Sequence, residues 1–407
     1  MRIAFVSFEY PPFTPVGGIG TYVRHVSVLL SERGHHVEVF CGSVNDSGVT
    51  LQDGVRIERV KSDSSHFPDA VLGPFLGRHG EVDFDIVEGP DYGADTGPIM
   101  ENAPNINHVI RLHSPSALLA TLWRDSCGVF SRSRIILGAW KRGSRPVWHL
   151  RPENDQERLV ACKAQAIISP SEAMAEWAVG TWGIPRDRIW LIPCPYPVDE
   201  RLTSIPLSKR PETVSFVGRL DRRKGVHTFA EAVPIIVRKC PGLKIRFVGR
   251  SSYCPVARMD MLMYVKSTLG DLQNHVDFVG EVPLERMHQV YATTDICVLP
   301  SLWESYGLVC LEAMLAGRAI VASDVGALVE LLDHGKCGKL VPAQRPRTLA
   351  NAIIELAQNP AECLRTGRLA RERAVTVYAS QPLIEMQEKC YRDTCNQHKI
   401  LWGGTGE

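Results

Sequence analysis

Two carboxylates, Glu304 and Glu312, stand with seven residues between them where a strand gives way to a helix. Ile296 to Pro300 reads as a buried strand, Ser305 and Gly307 as the turn, and Leu308 to Ala316 as a helix of good formers. At roughly 1.5 Å per helical residue the two acids stand about 12 Å apart, too far to hold one small group and suited to a long ligand. Between them, the free amides of Gly307, Leu308 and Val309 sit at the positive end of the helix dipole, where a phosphate would be held. A sugar, a diphosphate and a ribose would fill that line. Taken alone, the run is equally an ordinary strand and helix with solvated glutamates.

Other residues add the chemistry such a ligand needs. Arg219 and Lys224 lie five apart in a loop that follows one strand and precedes a helix. From different sides they can grip a diphosphate and neutralise charge as it leaves, with Arg222 and Arg223 as adjacent rivals. A solvated basic loop is the plain alternative. His113 directly follows the strand Val109 to Leu112, where an imidazole can accept a hydrogen bond from a sugar hydroxyl or polarise it; the alternative is a histidine that holds the next loop. His25, His108 and His227 have no comparable placement and read as structural. Gly17, Gly18 and Gly20 follow the first strand and open its helix, so that backbone amides can approach an anion or a sugar, unless they merely turn the chain. No G-x-G-x-x-G follows, which argues against a nicotinamide cofactor. A basic stretch from Trp123 to Arg151, interleaved with Phe130, Trp140 and Trp148, suits a phospholipid surface or an anionic acceptor, or is a solvated excursion.

The elements that must position these residues alternate short apolar strands with helices, the mark of a parallel, doubly wound sheet. Strands are expected at Ile3 to Ser7, Val37 to Cys41, Ile86 to Glu88, Val109 to Leu112, Ile167 to Ser169 and Trp190 to Ile192, with a helix from about Gly20 to Arg33. A stretch rich in Pro, Ser and charge from Pro193 to Glu212 interrupts them. The cadence then restarts: Phe216-Val217-Gly218, Phe247-Val248-Gly249 and Phe278-Val279-Gly280 recur every 31 residues, the length of one strand and helix. Further strands follow at Ile296 to Leu299, Ala319 to Ala322 and Lys339 to Val341. Pro234 should kink or split the helix His227 to Lys239. The helical tail from about Thr348 is long enough to cross back to the first domain, and Gly403 to Glu407 reads as disordered.

At 407 residues, two domains are expected. The net charge of +1 offers no field of one sign for nucleic acid. The apolar run at the start is too short for a secretory signal and no later run approaches a membrane span, so a cytoplasmic protein is expected. Twelve scattered cysteines with no C-x-x-C pair read as reduced packing residues.

Together the Gly17–Gly20 loop, His113, the sequence Gly218-Arg219-Leu220-Asp221 running on to Lys224-Gly225, and the Glu304/Glu312 pair resemble glycosyltransferase family 4, in that family's order and over nearly the whole chain. The resemblance implies an α/β fold of the GT-B type, two Rossmann-like doubly wound parallel-sheet domains facing a central cleft. Residues 1–195 would form the acceptor domain, 196–212 a linker, 213–375 the nucleotide-sugar domain, and 376–407 a helix crossing back with a disordered tail. It further implies that Gly17 and Gly18 lend backbone near the phosphates or sugar, and that His113 meets the donor sugar. Arg219 and Lys224 would hold the diphosphate, and Glu304 the hydroxyls of the transferred sugar. Ser305 and the amides of Gly307, Leu308 and Val309 would bind the phosphates, Glu312 the ribose, and Val282 would pack on the base.

Transfer would proceed with retention and without a metal or other cofactor. The expected partners are a nucleotide-sugar donor (UDP-, GDP- or ADP-linked) and a sugar, lipid-linked or small-molecule hydroxyl acceptor in polysaccharide or glycoconjugate synthesis, with no nucleic acid. Through 123–151 the protein would also meet the inner face of the membrane peripherally. The chain departs from the family pattern at Gly317-Arg318-Ala319 and Gly326-Ala327, where Gly-x-Pro and a Gly-Gly pair are usual, which points to an altered acceptor-facing loop. Two other functions fit the same architecture: a UDP-sugar epimerase, and a two-lobed sugar-binding protein. Because Glu304 and Lys224 are expected in loops, replacing either by Ala should leave the fold intact.

Overall fold

The computed structural model of the chain describes residues 1–14, 17–126, 133, 154–254 and 259–402. Most of the basic stretch 123–151 and the tail 403–407 lie outside these. Two compact units result. One holds Met1–Ala120, the described part of Val147–Pro197 and the C-terminal segment from Ala379; the other holds Val198–Tyr378 and the described part of Thr121–Pro146.

The first unit is built on strands β1 (Arg2–Ser7), β2 (His36–Ser43), β3 (Gly48–Gln52), β4 (Val55–Lys61), β5 (Ile86–Pro90), β6 (Asn107–Arg111), β7 (Ala166–Ser169) and β8 (Ile189–Leu191), in the sheet order β3-β4-β2-β1-β5-β6-β7-β8. Helices on both faces bury β1 completely from Ile3 to Val6, so it reads as an unbroken apolar run. Ile3 lies in register with Val37 on one side and Ile86 on the other. Phe40, Phe75 and Phe84 pack against one another at the centre of one core.

Strands β3 and β4 form an antiparallel hairpin that the alternation of apolar strands and helices does not anticipate. Its signal is Asp53-Gly54, both at positive φ (51° and 76°), the two-residue turn whose twist matches a hairpin. The edge strand β3 is largely exposed, with Leu51 at 78%.

The second unit carries β9 (Thr213–Val217), β10 (Lys244–Val248), a short ribbon of β11 (Tyr253–Cys254) and β12 (Met259–Asp260), then β13 (Val276–Gly280), β14 (Ile296–Leu299), β15 (Ala319–Ser323) and β16 (Lys339–Val341). Its parallel sheet runs β13-β10-β9-β14-β15-β16. The 31-residue cadence is thereby explained: Phe247 pairs in register with Phe216 and with Phe278, and the rings stack across three neighbouring strands. In both sheets the chain order reverses beside the first strand, at β1 and at β9. Ligands of such sheets sit beyond the carboxyl ends of the strands at that point.

Two expectations change. The helix Val226–Lys239 runs through Pro234 as a single element, neither split nor interrupted. A proline inside a helix costs about 3 kcal/mol. Burial of Val226, Phe229, Val233 and Ile236 on one face, at roughly 1.5–3 kcal/mol for each large side chain, offsets that cost. The second concerns the expected linker 196–212: the change of unit, between Pro197 and Val198, falls within it, and the stretch is structured. It contains the short helix Glu200–Thr203, buries Leu202 and Ile205, and is tied to the second unit where Arg371 donates to the Ile205 carbonyl at 2.6 Å. The segment from Ser380 to Trp402 forms one helix belonging to the first unit, held there by Glu388, which Arg33 meets at 2.6 Å and His35 at 3.0 Å. Among the described residues no helix is long and apolar enough to cross a membrane.

His227 is structural, as expected: it is buried at the start of its helix, and burial, with the charge of Arg222, pushes its imidazole from 6.5 down to about 4. Its folded value lies below its unfolded one, so its contribution to stability is whole above about pH 6.5 and is lost as the pH falls towards 4, a loss of about 3 kcal/mol. Urea unfolding at pH 7 and pH 4.5 should therefore show a smaller acid loss in His227→Gln than in the wild type. Equal losses in the two proteins would remove His227 from this role.

Candidate functional site

At the carboxyl end of β9 the chain turns through Gly218 to Gly225, and at the carboxyl end of β14 through Pro300 to Gly307. These two loops flank the point where strand order reverses in the second unit. Lys224 and Glu304 meet there, Nζ to Oε1 at 2.6 Å, with side chains only 19% and 9% exposed. Ser301 donates its hydroxyl to the same carboxylate oxygen at 2.7 Å. The loops approach so closely that a Cβ on Gly225 would lie 1.7 Å from the Pro300 carbonyl oxygen, and Gly225 takes a left-handed φ of 71°. The Lys224 amide donates to Asp221 at 2.7 Å, which fixes the turn.

Burial raises the Glu304 carboxyl, but the charges of Lys224 and Arg223 outweigh it and hold the group below its ordinary value. Burial lowers the Lys224 ammonium, against the pull of Glu304. One recess is lined by Lys224, Ser301, Glu304, Gly307, Val309 and Cys310 over the end of β9. Gly307, at φ 93°, precedes the helix Leu308–Leu315, which has no side-chain cap. The first amides bonded back to Gly307 are those of Cys310 and Leu311, so the amides before them define the positive end of the helix.

The remaining sequence candidates of this unit are not in the lining of this recess. Glu312 is buried within the helix and accepts a hydrogen bond from the Tyr291 hydroxyl at 2.8 Å. Ser305 is buried and accepts from the Trp303 indole at 3.3 Å. Val282 is half-buried just after β13, and Leu308 is half-buried at the helix start. Arg219 does not join the recess lining; it is half-exposed and pairs with Asp221 at 3.3 Å. Arg223, one of its rivals, is the second cation whose charge acts on Glu304.

The departures from the family pattern also find places. Gly326, at φ 52°, puts its missing Cβ 2.2 Å from the Glu304 carbonyl oxygen, which accepts the Ala327 amide at 2.9 Å. That segment braces the recess. Arg318 is buried and bonds the carbonyls of Ala316, Thr294 and Pro206, so it staples backbone within its own unit.

Gly17, Gly18 and His113 belong to the first unit. Gly17 is the extended N-cap of the helix Gly18–Glu32. A carboxylate of the chain itself stands at this helix start: Glu9 accepts the Gly20 amide at 3.4 Å, and a Cβ on Gly17 would come within 2.2 Å of its oxygen. The His113 amide donates to Asp91 at 2.9 Å, and its ring meets that of Tyr22 edge-on at 5.4 Å. Burial and the neighbouring Arg111 charge lower its imidazole to about 3, so the ring is neutral at physiological pH.

Asp91 escaped the sequence reading although it directly follows β5 at the strand reversal. One of its oxygens accepts the amides of Tyr92 and His113, while the other is buried with no hydrogen-bond partner among the described residues. Burial, with the charge of Glu157, pushes its carboxyl well up. Burial also pushes Asp95 up to about 7, against the hydrogen bond from the Phe8 amide. Glu157 accepts from Gly93 and from both donors of Ser116.

Comparison with known proteins agrees with the two halves. Residues 16–200 match the family described as Glycosyltransferase Family 4, and residues 211–359 match Glycosyl transferases group 1. The chain is 25% identical to D-inositol 3-phosphate glycosyltransferase of Corynebacterium urealyticum, over 92% of this chain and 91% of that one. It is 27% identical to glycogen synthase of Mycobacterium tuberculosis, over 96% and 94%. Its fold is similar to that of sucrose-phosphate synthase from Thermosynechococcus elongatus, with a TM-score of 0.76, 24% identity and coverage of 96% and 98%.

The burial of Lys224 with Glu304 corrects the expectation that either can be removed without harm to the fold. Deleting one partner of a buried pair strands the other's charge, at a cost of about 3–5 kcal/mol, whereas replacing both by apolar or neutral groups is often close to neutral. Lys224→Met and Glu304→Gln should each lower the urea midpoint strongly, and the double variant should recover most of the loss. Two additive losses would mean that the pair does not form in solution.

Proposed function

Because the chain belongs to glycosyltransferase family 4, with the GT-B fold, we propose that it moves a sugar from a nucleoside diphosphate sugar to a hydroxyl acceptor with retention of anomeric configuration. The observation that carries this reading is the recess at the end of β9. A buried ammonium and the uncapped start of the helix Leu308–Leu315 line one recess, and the charge of Arg223 also reaches Glu304 there. A leaving diphosphate fits that field. Lys224 and the amides of Gly307, Leu308 and Val309 take the phosphates, and Arg219, exposed on the same loop, swings from Asp221 to a phosphate oxygen. Glu304 receives hydroxyls of the transferred sugar, Glu312 the ribose hydroxyls, and Val282 the face of the base. His113, held neutral, accepts from a hydroxyl of the sugar.

The reaction breaks the bond between the anomeric carbon and the phosphate oxygen, and forms one from the same carbon to the acceptor oxygen on the same face. The acceptor's proton passes to the departing phosphate, so no protein base beside the acceptor is required. Charge from Lys224, Arg219, Arg223 and the helix end takes the place of a metal ion in stabilising the leaving group. The carboxylate of Glu9 at the Gly17–Gly18 helix start favours a neutral, hydroxyl-rich acceptor over a phosphorylated one, because it repels an anion from those amides.

The test is turnover of UDP-, ADP- and GDP-hexoses with and without neutral glycans, following free nucleotide and the anomeric coupling of the product by NMR. Acceptor-dependent nucleotide release, an α-linked product from an α-linked donor, and indifference to EDTA are expected. Nucleotide release with an isomerised free sugar and no acceptor would make the protein an epimerase, and ligand binding without turnover would make it a receptor. Glu312→Gln should raise KM for the donor about tenfold with kcat little changed, since a ribose contact is equal in ground and transition states. An unchanged KM would take Glu312 out of the donor site.

A further inference from the structure

The C-terminal helix Ser380–Trp402 sends Gln387 and Tyr391 into the buried interior of the first unit. Gln387, Tyr391, Glu88, Tyr22 and Arg111 are all buried there. Tyr22 and Tyr391 each donate a hydroxyl to Glu88, one to each carboxylate oxygen, at 2.5 Å. The Gln387 amide nitrogen lies 2.7 Å from the Tyr22 hydroxyl, 2.6 Å from that of Tyr391 and 3.1 Å from Glu88. Arg111 donates to the Tyr22 hydroxyl at 3.2 Å, and its guanidinium lies 4.1 Å from the centre of the Tyr22 ring. The opposite requirement falls on the same ring, whose edge-on contact with His113 is 5.4 Å between centroids.

Tyr22 is thus fixed at its hydroxyl by three partners while its ring contacts both Arg111 and the imidazole two residues further on. A buried carboxylate and a buried guanidinium that do not touch are linked only through that hydroxyl. Such a network has few alternative arrangements, because rotating Tyr22 takes one hydrogen bond from each buried charge, leaving Arg111 with the Ile192 carbonyl and Cys194 and Glu88 with Tyr391 and Gln387. From this geometry we infer that Gln387 and Tyr391 are positioning residues for His113, acting through Glu88 and Tyr22. The C-terminal helix therefore sets the placement of a side chain that lies some 270 residues earlier in the chain.

This inference rests on the reading of His113 as a donor-sugar contact, and its test separates the two. The full chain is labelled with 13C-histidine, and the imidazole signal of His113 is assigned by its loss in His113→Gln. Gln387→Leu and Tyr391→Phe are then compared with the wild type for that signal, for thermal midpoint and for kcat and KM. In both variants the His113 signal should move, and kcat should fall about tenfold or more while KM for the donor stays within about twofold. If Gln387→Leu does not fold, Tyr391→Phe, which removes a single oxygen, carries the comparison. An unmoved His113 signal overturns the inference, whatever happens to kcat, since any loss would then arise elsewhere. A moved signal with an unchanged kcat overturns it as well. If the wild type transfers no sugar, the proposed function fails while the imidazole signal still reports whether the helix places His113.

Discussion

The second unit is organised around one buried ion pair. Lys224 and Glu304 stand in low dielectric at the strand reversal, and such a pair yields little net stability, because desolvation consumes most of the Coulomb attraction. What it fixes is geometry. The pair can form only if the loops after β9 and β14 come together, and two glycines permit this: Gly225 against the Pro300 carbonyl and Gly326 against that of Glu304. Both lie at positive φ, where a Cβ would be strained as well as obstructed. Three backbone segments are therefore packed to touching around two charges. Ser301 completes the carboxylate's hydrogen bonding and Arg223 adds the second positive charge. An arrangement that expensive to assemble for stability alone is understandable as a preorganised field for an anion, which needs no rearrangement of dipoles when the ligand's charge develops.

The first unit solves a different electrostatic problem. Its buried cation, Arg111, is not in direct contact with its counter-charge Glu88; the Tyr22 hydroxyl stands between them, and two groups from the C-terminal helix complete the shell. The charge of Arg111, together with burial, keeps His113 neutral. A neutral imidazole can accept from a sugar hydroxyl, which an imidazolium cannot. Burial is the larger cause of that neutral state, and one member of the network, Arg111, adds to it through its charge.

Legibility in the sequence followed the physics of each feature. Buried parallel strands appear as unbroken apolar runs, so β14 and β16 were bounded to the residue and most others within two. The loops after β9 and β14 are legible as loops because glycine and charge follow the apolar strands there, and the structure brings Lys224 and Glu304 of these loops together. The β3–β4 hairpin was overlooked since β3 is exposed and lacks an apolar run, although Asp53-Gly54 carried the turn signal. At Pro234 the kink or split expected from the local rule is not a split, since tertiary burial keeps the helix in one piece. Asp91 was passed over inside Gly89-Pro90-Asp91-Tyr92, which reads as a turn; only the sheet order shows that this turn lies at the strand reversal. The Glu88 network could not be seen at all, since its members sit in two strands and two helices whose pairing no spacing encodes.

The two units differ in the sign of what they bury at the ends of their strands, and this difference has chemical content on the reading proposed above. After β9 and β14 there are Lys224, Arg223, Arg219 and a helix start, with the Glu304 carboxylate paired to the Lys224 ammonium and that of Asp221 to Arg219. After β1 and β5 there are Glu9, Asp91 and Asp95, with Glu157 behind them. A nucleoside diphosphate carries its charge on phosphate, so on that reading the cationic loops and helix start of the second unit attract it. Hydroxyl groups, which both donate and accept, suit the carboxyls of the first unit, and burial makes these more suitable still. Burial pushes Asp95 up to about 7, so its carboxyl carries a proton part of the time at neutral pH and can donate as well as accept; burial also pushes Asp91 upward. Neither unit needs to recognise the base, sugar or linkage to make this division. On the proposed reading, the cationic strand ends of the second unit suit a phosphorylated ligand, and the carboxyl-lined strand ends of the first suit hydroxyl groups.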